Sequence, residues 1–384
     1  MSLLLRDARV ITGTSAEIER GWVLLARGVV FEVGAGDPPP SVVSAVTDIV
    51  DAREVAGPGA LVTPGLVDIH THGGGGSAFE DPDAATAVDR ILGVHAAHGV
   101  TRVVASLVSA APPALEQTIG ALSTAARPGL LGIHLEGPCL DVDHRGAHAP
   151  WALRDPSSLD VARLTAAGSL AQITIAPELP GALDLIRAFV AAGVRVAVGH
   201  TGADAATTRE AIAAGATLLT HAFNAMPPLH HRAPGPVGVA LADEAMILEL
   251  IADGTHVDPS LIAPLFRAAP GRIALVSDAM AAAGSPDGDY RLGDLAVTVA
   301  GGIARLRDTG TIAGSTLTLD RAVRTVVATG VPLVQTIEAA TCVPARAIGR
   351  SDVGRLHPGC RGDVVLWSAG LEPAVVWRDG IRIA

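Results

Sequence analysis

Residues 65–72 read GLVDIHTH, an apolar run that ends on two histidines, His70 and His72, and other runs along the chain end in the same manner. They are LLGIHLEGP at 130–138, carrying Glu136; VRVAVGH at 194–200, ending on His200; ATLLTH at 216–221, ending on His221; and RIALVSDA at 272–279, carrying Asp278. A parallel barrel gathers the C-terminal ends of its strands at one mouth, so ligand-type residues far apart in sequence can meet around one metal centre. The pattern reads as a metal-dependent hydrolase.

Working outward from these runs, candidate strands fall near 66–69, 102–107, 130–135, 172–176, 194–199, 216–220, 246–251 and 272–277. Each is followed by a stretch of helical composition, such as PDAATAVDRILGVHAAHG at 82–99 or ADAATTREAIAAG at 203–215, the signature of repeated βα units. Eight units close a (β/α)8 barrel of the TIM type. A doubly wound open sheet would place its ligands at one switch point, and would not collect them from strands one, three, five, six and eight.

The two chain ends read differently. LLLRDARVI and WVLLARGVVFEV near the start, and GDVVLWSAG, PAVVWRDG and IRIA at the end, are short alternating runs punctuated by glycine and proline. We expect them to complete one small β-sandwich, with 1–60 and 349–384 as its two parts and 61–348 as the barrel.

With 384 residues, 49% of them hydrophobic, the chain can bury a full barrel core. The net charge of −11 and pI near 5.6 argue against nucleic acid or an anionic membrane surface as a partner, which leaves a small molecule. Lysine is absent: all 28 basic residues are arginine. No Schiff-base or carbamylated lysine is therefore available, and an anionic ligand must be held by Arg, His or backbone N–H groups. Three cysteines without CxxC spacing, Cys139, Cys342 and Cys360, suit a reducing cytoplasm. The N-terminal apolar stretch is too short for a signal peptide, and no run of about 18 uninterrupted apolar residues appears, so the reading is a soluble protein.

The candidate site residues follow from position and chemistry. His70 and His72 stand at i and i+2, on one face of a strand. Glu136, after an apolar run, would be costly to bury without a cation or charged partner. With His200 and His221 it makes an N/N/O set that zinc, iron or manganese accept with positions left open. Asp278 could ligate too, but is better placed to take a proton from the attacking water and return it to a leaving amine. His148, in the loop HRGAHAP, is a candidate to polarise a substrate carbonyl.

The segments HLEGPCLDVDHRGAHAP (134–150), VGHTGA (198–203), THAFNAMPPLHHRAPGPVG (220–238), DGTHVDP (253–259), VSDAMAAAG (276–284) and AGSTLTLDRAV (313–323) resemble the N-acetylglucosamine-6-phosphate deacetylase family of the amidohydrolase superfamily. The likeness runs from about position 60 to the C-terminus. It implies Glu136, His200 and His221 as metal ligands, Asp278 as acid and base, and His148 as the contact to the acetyl carbonyl. It further implies sugar and phosphate contacts at Asn224, Ala225, Arg232 and His256, and a homodimer in which Arg232 serves either its own or the neighbouring site. Some members lack the HxH pair and hold one metal. Here His70 and His72 allow a second, with Glu136 bridging, so one or two divalent ions per subunit are expected, zinc ahead of iron or manganese.

The expected reaction is hydrolysis of the acetamide of a phosphosugar, N-acetylglucosamine 6-phosphate, in amino-sugar catabolism and cell-wall recycling. The alternatives are another amidohydrolase reaction, on the galactosamine epimer or a cyclic amide, and a sugar-phosphate binding protein without chemistry. Among the remaining groups, His230 and His231 are extra donors beside Arg232. His95 and His98 read as structural or solvent-facing, and His134 as core or support for the site. His144 and His357 carry no role. Glu178 either supports the site or enters a helix, and Cys139 packs beneath the EGP turn where the family more often carries a bulkier residue.

Overall fold

The computed structural model describes residues 2–14 and 16–384; Met1 and Ser15, within the expected N-terminal β-region, lie outside the described residues. The eight parallel strands anticipated from the apolar runs form one sheet in sequential order. We label them β1 (Leu66–Thr71), β2 (Val100–Leu107), β3 (Leu130–Glu136), β4 (Leu170–Ile175), β5 (Arg195–Val198), β6 (Leu218–Leu219), β7 (Ile247–Leu250) and β8 (Ile273–Leu275). Both ends of the sheet meet just beyond β8. There Asp278 N–H donates to His70 O at 2.8 Å, His72 N–H donates to Ala279 O at 2.7 Å, and Thr71 bridges Ala279, giving a nearly closed barrel.

Short side chains and aspartate caps make the outer layer. The helix Ala84–Ala97 starts at Asp83, whose carboxylate accepts Thr86 N–H. Asp160, Asp204 and Asp258 do the same for Val161–Ala167, Ala205–Ala213 and Pro259–Ala268. Each cap satisfies an N–H that the first helical turn leaves unpaired and fixes where the chain turns from strand to helix. Between strands and helices lies one continuous apolar core that includes Leu66, Val104, Ile133, Ile173, Val196 and Leu250.

The two chain ends share a second sheet, as the alternating runs implied. Its strands run in the order 381–382, 373–378, 364–367, 61–64, 2–11, 17–26 and 29–35, with 48–51 pairing parallel to 2–11. Leu61–Pro64 pairs antiparallel with Val364–Trp367 and parallel with Ser2–Ile11, so it stitches the two ends together just before the chain enters β1. Arg102, buried on β2, ties this sheet to the barrel through Asp363 at 2.6 Å and Asp379 at 2.8 Å.

One element was not anticipated. Between β8 and its helix, Leu319–Ala328, the chain inserts a three-stranded antiparallel sheet, 288–292, 295–300 and 303–306. Its alternating run LAVTVA is flanked by turns at Gly293 and at Gly301–Gly302, all with positive φ, a hairpin signal present in the sequence. The insert packs Leu292, Val297 and Val299 against Met280 and Ala313, which sets it beside the barrel mouth.

Candidate metal centre and substrate cavity

The five candidate metal ligands and Asp278 sit at, or just past, the C-terminal ends of their strands. His70 and His72 close β1, Glu136 is the last residue of β3, and His200, His221 and Asp278 follow β5, β6 and β8 by two or three residues. The barrel brings them together. Glu136 Oε1 lies 3.1 Å from both His200 Nε2 and His221 Nε2 and 3.4 Å from His70 Nε2, while Oε2 lies 3.2 Å from His72 Nε2. Asp278 Oδ1 stands 3.3 Å from His72 Nε2 and 3.5 Å from His70 Nε2. Among the described residues, two groups have the closeness needed for a divalent ion, His70–His72–Glu136 and Glu136–His148–His200.

Three of these residues have positive φ without being glycine: His200 at 48°, His221 at 26° and Asp278 at 47°. Left-handed backbone at such residues is costly and persists where the surroundings over-determine it, commonly at functional sites. In each case it turns the side chain from the strand end into the mouth.

Hydrogen bonds on the far side of each ring decide which nitrogen faces inward. His70 Nδ1 lies 2.9 Å from Glu249 Oε2, and His200 Nδ1 lies 2.9 Å from the carbonyl oxygen of His144. Carboxylate and carbonyl accept only, so Nδ1 carries a proton in each ring and Nε2 is the nitrogen that faces Glu136 and is left for a cation. His148 is the reverse. Its Nδ1 accepts the Ser109 N–H at 3.2 Å, which leaves the proton on Nε2, aimed at Glu136 Oε2 3.2 Å away. His148 thus presents a donor, while His70 and His200 present ligand atoms.

The electrostatics point to a cation. Burial opposes charge on Glu136, yet the surrounding histidines hold its carboxyl well below the usual range. Burial likewise opposes charge on His72, but hydrogen bonds to Asp278 and Glu136 carry it up to about 9. His70 is driven well above its ordinary value against burial by Glu136, Glu249 and Asp278. Two carboxylates in a dry cluster draw positive charge inward, and a divalent ion in place of those protons meets that demand with Nε2 atoms already directed at it. The donor set therefore fits a metal. His148, by contrast, is pushed down to about 4, chiefly by burial, and stays neutral.

The sequence reading missed the support beneath these groups. Glu249, fully buried on β7, accepts from His70 Nδ1, from Gln172 Nε2 at 2.7 Å and from His221 N–H at 3.3 Å, so one carboxylate orients two candidate ligands. A lone acidic residue inside the apolar run MILELI was the available signal. His134 joins a buried chain, with Ser106 at 2.9 Å on one side and Thr174 at 2.8 Å on the other, and Thr174 reaches Thr220 at 2.8 Å. His144 needs correction: its backbone carbonyl orients His200 and its ring pairs with Asp141 at 2.5 Å. Glu178 accepts from Thr201 and from Gly202 N–H, bracing the turn after His200. His95 is buried and bonds Gly73 O at 3.0 Å below the loop that follows β1. Cys139 is buried, and burial pushes its thiol up to about 12.

A cavity of about 450 Å³ opens over the cluster. Asn224, Ala225 and His256 line it with Asp278 and His148, and Leu292 and Ile312 close one side. Asp253 Oδ2 lies 2.7 Å from His256 Nδ1 and raises the ring above its ordinary value against the opposing effect of burial, which favours the charged form of His256 at the wall. Arg232 is exposed, contacts His231 at 2.8 Å, and is not part of this lining.

Barrel and cluster together define a metal-dependent hydrolase, and the chain belongs to the amidohydrolase family, matched over residues 61–382. Within that family it is closely related to the N-acetylglucosamine-6-phosphate deacetylases. The human N-acetylglucosamine-6-phosphate deacetylase is 33% identical over 97% of this chain and 95% of its own length. An N-acetylgalactosamine-6-phosphate deacetylase of Escherichia coli O157:H7 is 39% identical over 83% of this chain and 87% of its own. Among solved structures, an aspartate-to-alanine mutant of the Mycobacterium smegmatis N-acetyl-D-glucosamine-6-phosphate deacetylase, in complex with N-acetyl-D-glucosamine 6-phosphate, superposes with a TM-score of 0.91 at 40% identity. That match covers 100% of this chain and 99% of that one.

Proposed function

We propose that the protein hydrolyses the acetamide of N-acetylglucosamine 6-phosphate, releasing acetate and glucosamine 6-phosphate. The observation that carries this reading is the convergence of Glu136, His200, His221, His70 and His72 on one buried point, with the Asp278 carboxylate at its edge and a cavity above it. Glu136, His200 and His221 would hold one divalent ion, and His70 and His72 with Glu136 would hold a second. Zinc suits the nitrogen and oxygen donors, as iron or manganese would. Bound there, a divalent ion would supply Lewis acidity for amide hydrolysis.

The chain's own groups do the rest. Asp278, whose Oδ1 lies 3.3 Å from His72 Nε2 at the edge of the cluster and which lines the cavity, is placed to take the proton of the attacking water. It then passes that proton to the departing amine. His148, neutral and with Nε2–H directed inward, donates to the carbonyl oxygen as negative charge builds there. Asn224 and the Ala225 backbone position the sugar, and His256 offers a cation to the phosphate. Arg232, outside the lining of its own cavity, reaches the phosphate of a neighbouring subunit in a homodimer.

The galactosamine epimer is the second reading, favoured by the relative at 39% identity that acts on N-acetylgalactosamine 6-phosphate by name. Comparing kcat/KM for the two epimers and for unphosphorylated N-acetylglucosamine separates them. A clear preference for the glucosamine epimer and a large loss without phosphate support the first reading; a preference for the other epimer replaces it. No helix among the described residues is long and apolar enough to cross a membrane. With three buried free cysteines the protein suits a reducing compartment, and we place it in the cytoplasm.

A further inference from the structure

Immediately after β1 the chain folds back on itself. Gly73 and Gly74 pair antiparallel with Ala78 and Ser77 around a two-residue turn, Gly75–Gly76, in which both residues have positive φ, a conformation that suits glycine. The Phe79 N–H donates to His72 O at 3.1 Å, continuing the hairpin by one step, so that Glu80 is the residue directly after the one paired with His72. From beyond β2, Val108 N–H donates to Glu80 Oε1 at 3.0 Å and anchors the carboxylate between the ends of two barrel strands.

The other halves of this arrangement are unsatisfied. Glu80 Oε2 and His72 Nδ1 are both buried and have no hydrogen-bond partner among the described residues. Burial raises the Glu80 carboxyl above its ordinary value, and His72 is the strongest influence acting in the opposite direction. A histidine that ligates through Nε2 needs its proton on Nδ1, and an acceptor facing Nδ1 both fixes that tautomer and makes the ligand more basic. His70 has Glu249 in this role and His200 has the His144 carbonyl. His72 has no such partner already in contact, and the hairpin brings it one.

We propose that Glu80 is the positioning residue for His72: its free carboxylate oxygen receives the His72 Nδ1 proton, directly or across one water, and so sets the affinity of the His70–His72 side for its ion. This rests on the reading of the cluster as a metal centre. Glu80 touches neither substrate nor reacting atoms and acts only through His72. It also assigns a purpose to the glycine run after His72, because a longer or stiffer loop would not return residue 80 to the ring.

The test is a titration of metal-stripped protein with cobalt(II) alone, reading the number of ions bound, the dissociation constant of each and the visible absorption of the bound cobalt. Glu80→Gln keeps an oxygen for the Val108 N–H, so the hairpin anchor survives. We expect the wild type to bind two ions, and the variant to bind one unchanged and the other about 10- to 100-fold more weakly, with altered absorption. Glu80→Asp should recover part of that loss. In a His72→Ala background, Glu80→Gln should have no further effect on either ion, whereas a general structural role would add its own loss. Equal affinities in wild type and Glu80→Gln overturn the proposal, as does a wild type that binds a single ion regardless of residue 80. If His200→Ala leaves cobalt binding untouched, the metal-centre reading itself is at fault.

Discussion

His148 and His200 stand edge to face with ring centroids 4.7 Å apart, and their neighbours give them opposite tautomers. A backbone N–H, that of Ser109, fixes His148 as a donor toward Glu136, and a backbone carbonyl, that of His144, fixes His200 as a lone-pair ligand. Two similar rings in one cluster thus divide the work of polarising the substrate and holding the metal.

That division predicts different failures for the two alanine variants. His148→Ala should retain its metal and lose about 10²- to 10³-fold in kcat, the usual size of one lost oxyanion donor. His200→Ala should lose the metal from the Glu136 side and turnover with it. Metal analysis by plasma mass spectrometry beside steady-state kinetics distinguishes the two; metal loss in His148→Ala would show that this ring is a ligand.

Asp278→Asn keeps the size of the side chain but cannot accept the proton. We expect turnover to fall at least 10²- to 10⁴-fold, the range for a general acid–base group. Metal content should be retained, as should binding of N-acetylglucosamine 6-phosphate measured by calorimetry. Substantial residual turnover would transfer the proton-carrying role to another group.

In the homodimer we propose, Arg232, exposed and outside its own cavity, should act across the subunit boundary. Arg232→Ala should raise KM for the phosphorylated sugar by an amount corresponding to about 1.5–3 kcal/mol, the range for a hydrogen bond to a charged group, with a smaller change in kcat. Mixing this variant with Asp278→Asn should restore part of the activity, because some mixed dimers carry one site with both residues intact. Absence of complementation, with mixed dimers shown to form, would place Arg232 in its own site or in none.

Far from the mouth, Asp320 lies 3.1 Å from His98 Nδ1 and 3.0 Å from Arg324. Burial alone would raise this carboxyl, but the neighbouring His98 and Thr318 and the charges of His98 and Arg324 carry it down to about 2. A folded-state value below the unfolded value of about 3.9 stabilises the protein at neutral pH by roughly 2 kcal/mol. The contribution is complete above pH ~4 and fades as pH falls toward the folded-state value. Denaturant midpoints should therefore show Asp320→Asn less stable than wild type at pH 7, with the gap narrowing between pH ~4 and ~2. A constant gap would mean that the loss does not come from ionisation.

The fold was legible because a buried parallel strand leaves a continuous apolar run, and the candidate metal ligands and Asp278 end such runs. GLVDIHTH, LLGIHLEGP and RIALVSDA carry strand and ligand in one string. Even β6, reduced to Leu218–Leu219, is marked by ATLLTH. The supporting layer was harder to read. Glu249 matters because β7 places it under rings from β1 and β6, and Glu80 because a glycine hairpin folds it back. Those relationships arise between strands and leave no local period. The role of His144 lies in its carbonyl oxygen, which every residue has, so no side-chain pattern could announce it. The insert at 288–306 was legible from its alternation and glycine turns, but the expected helix after β8 competed with that signal.

The most direct test of the account is acetate release from N-acetylglucosamine 6-phosphate by protein stripped of metal and then reloaded with zinc. The account predicts negligible release from the stripped protein, recovery on reloading, and saturation at no more than two ions per chain. Full activity without metal, or none on any acetylated amino-sugar phosphate despite bound metal, would contradict it.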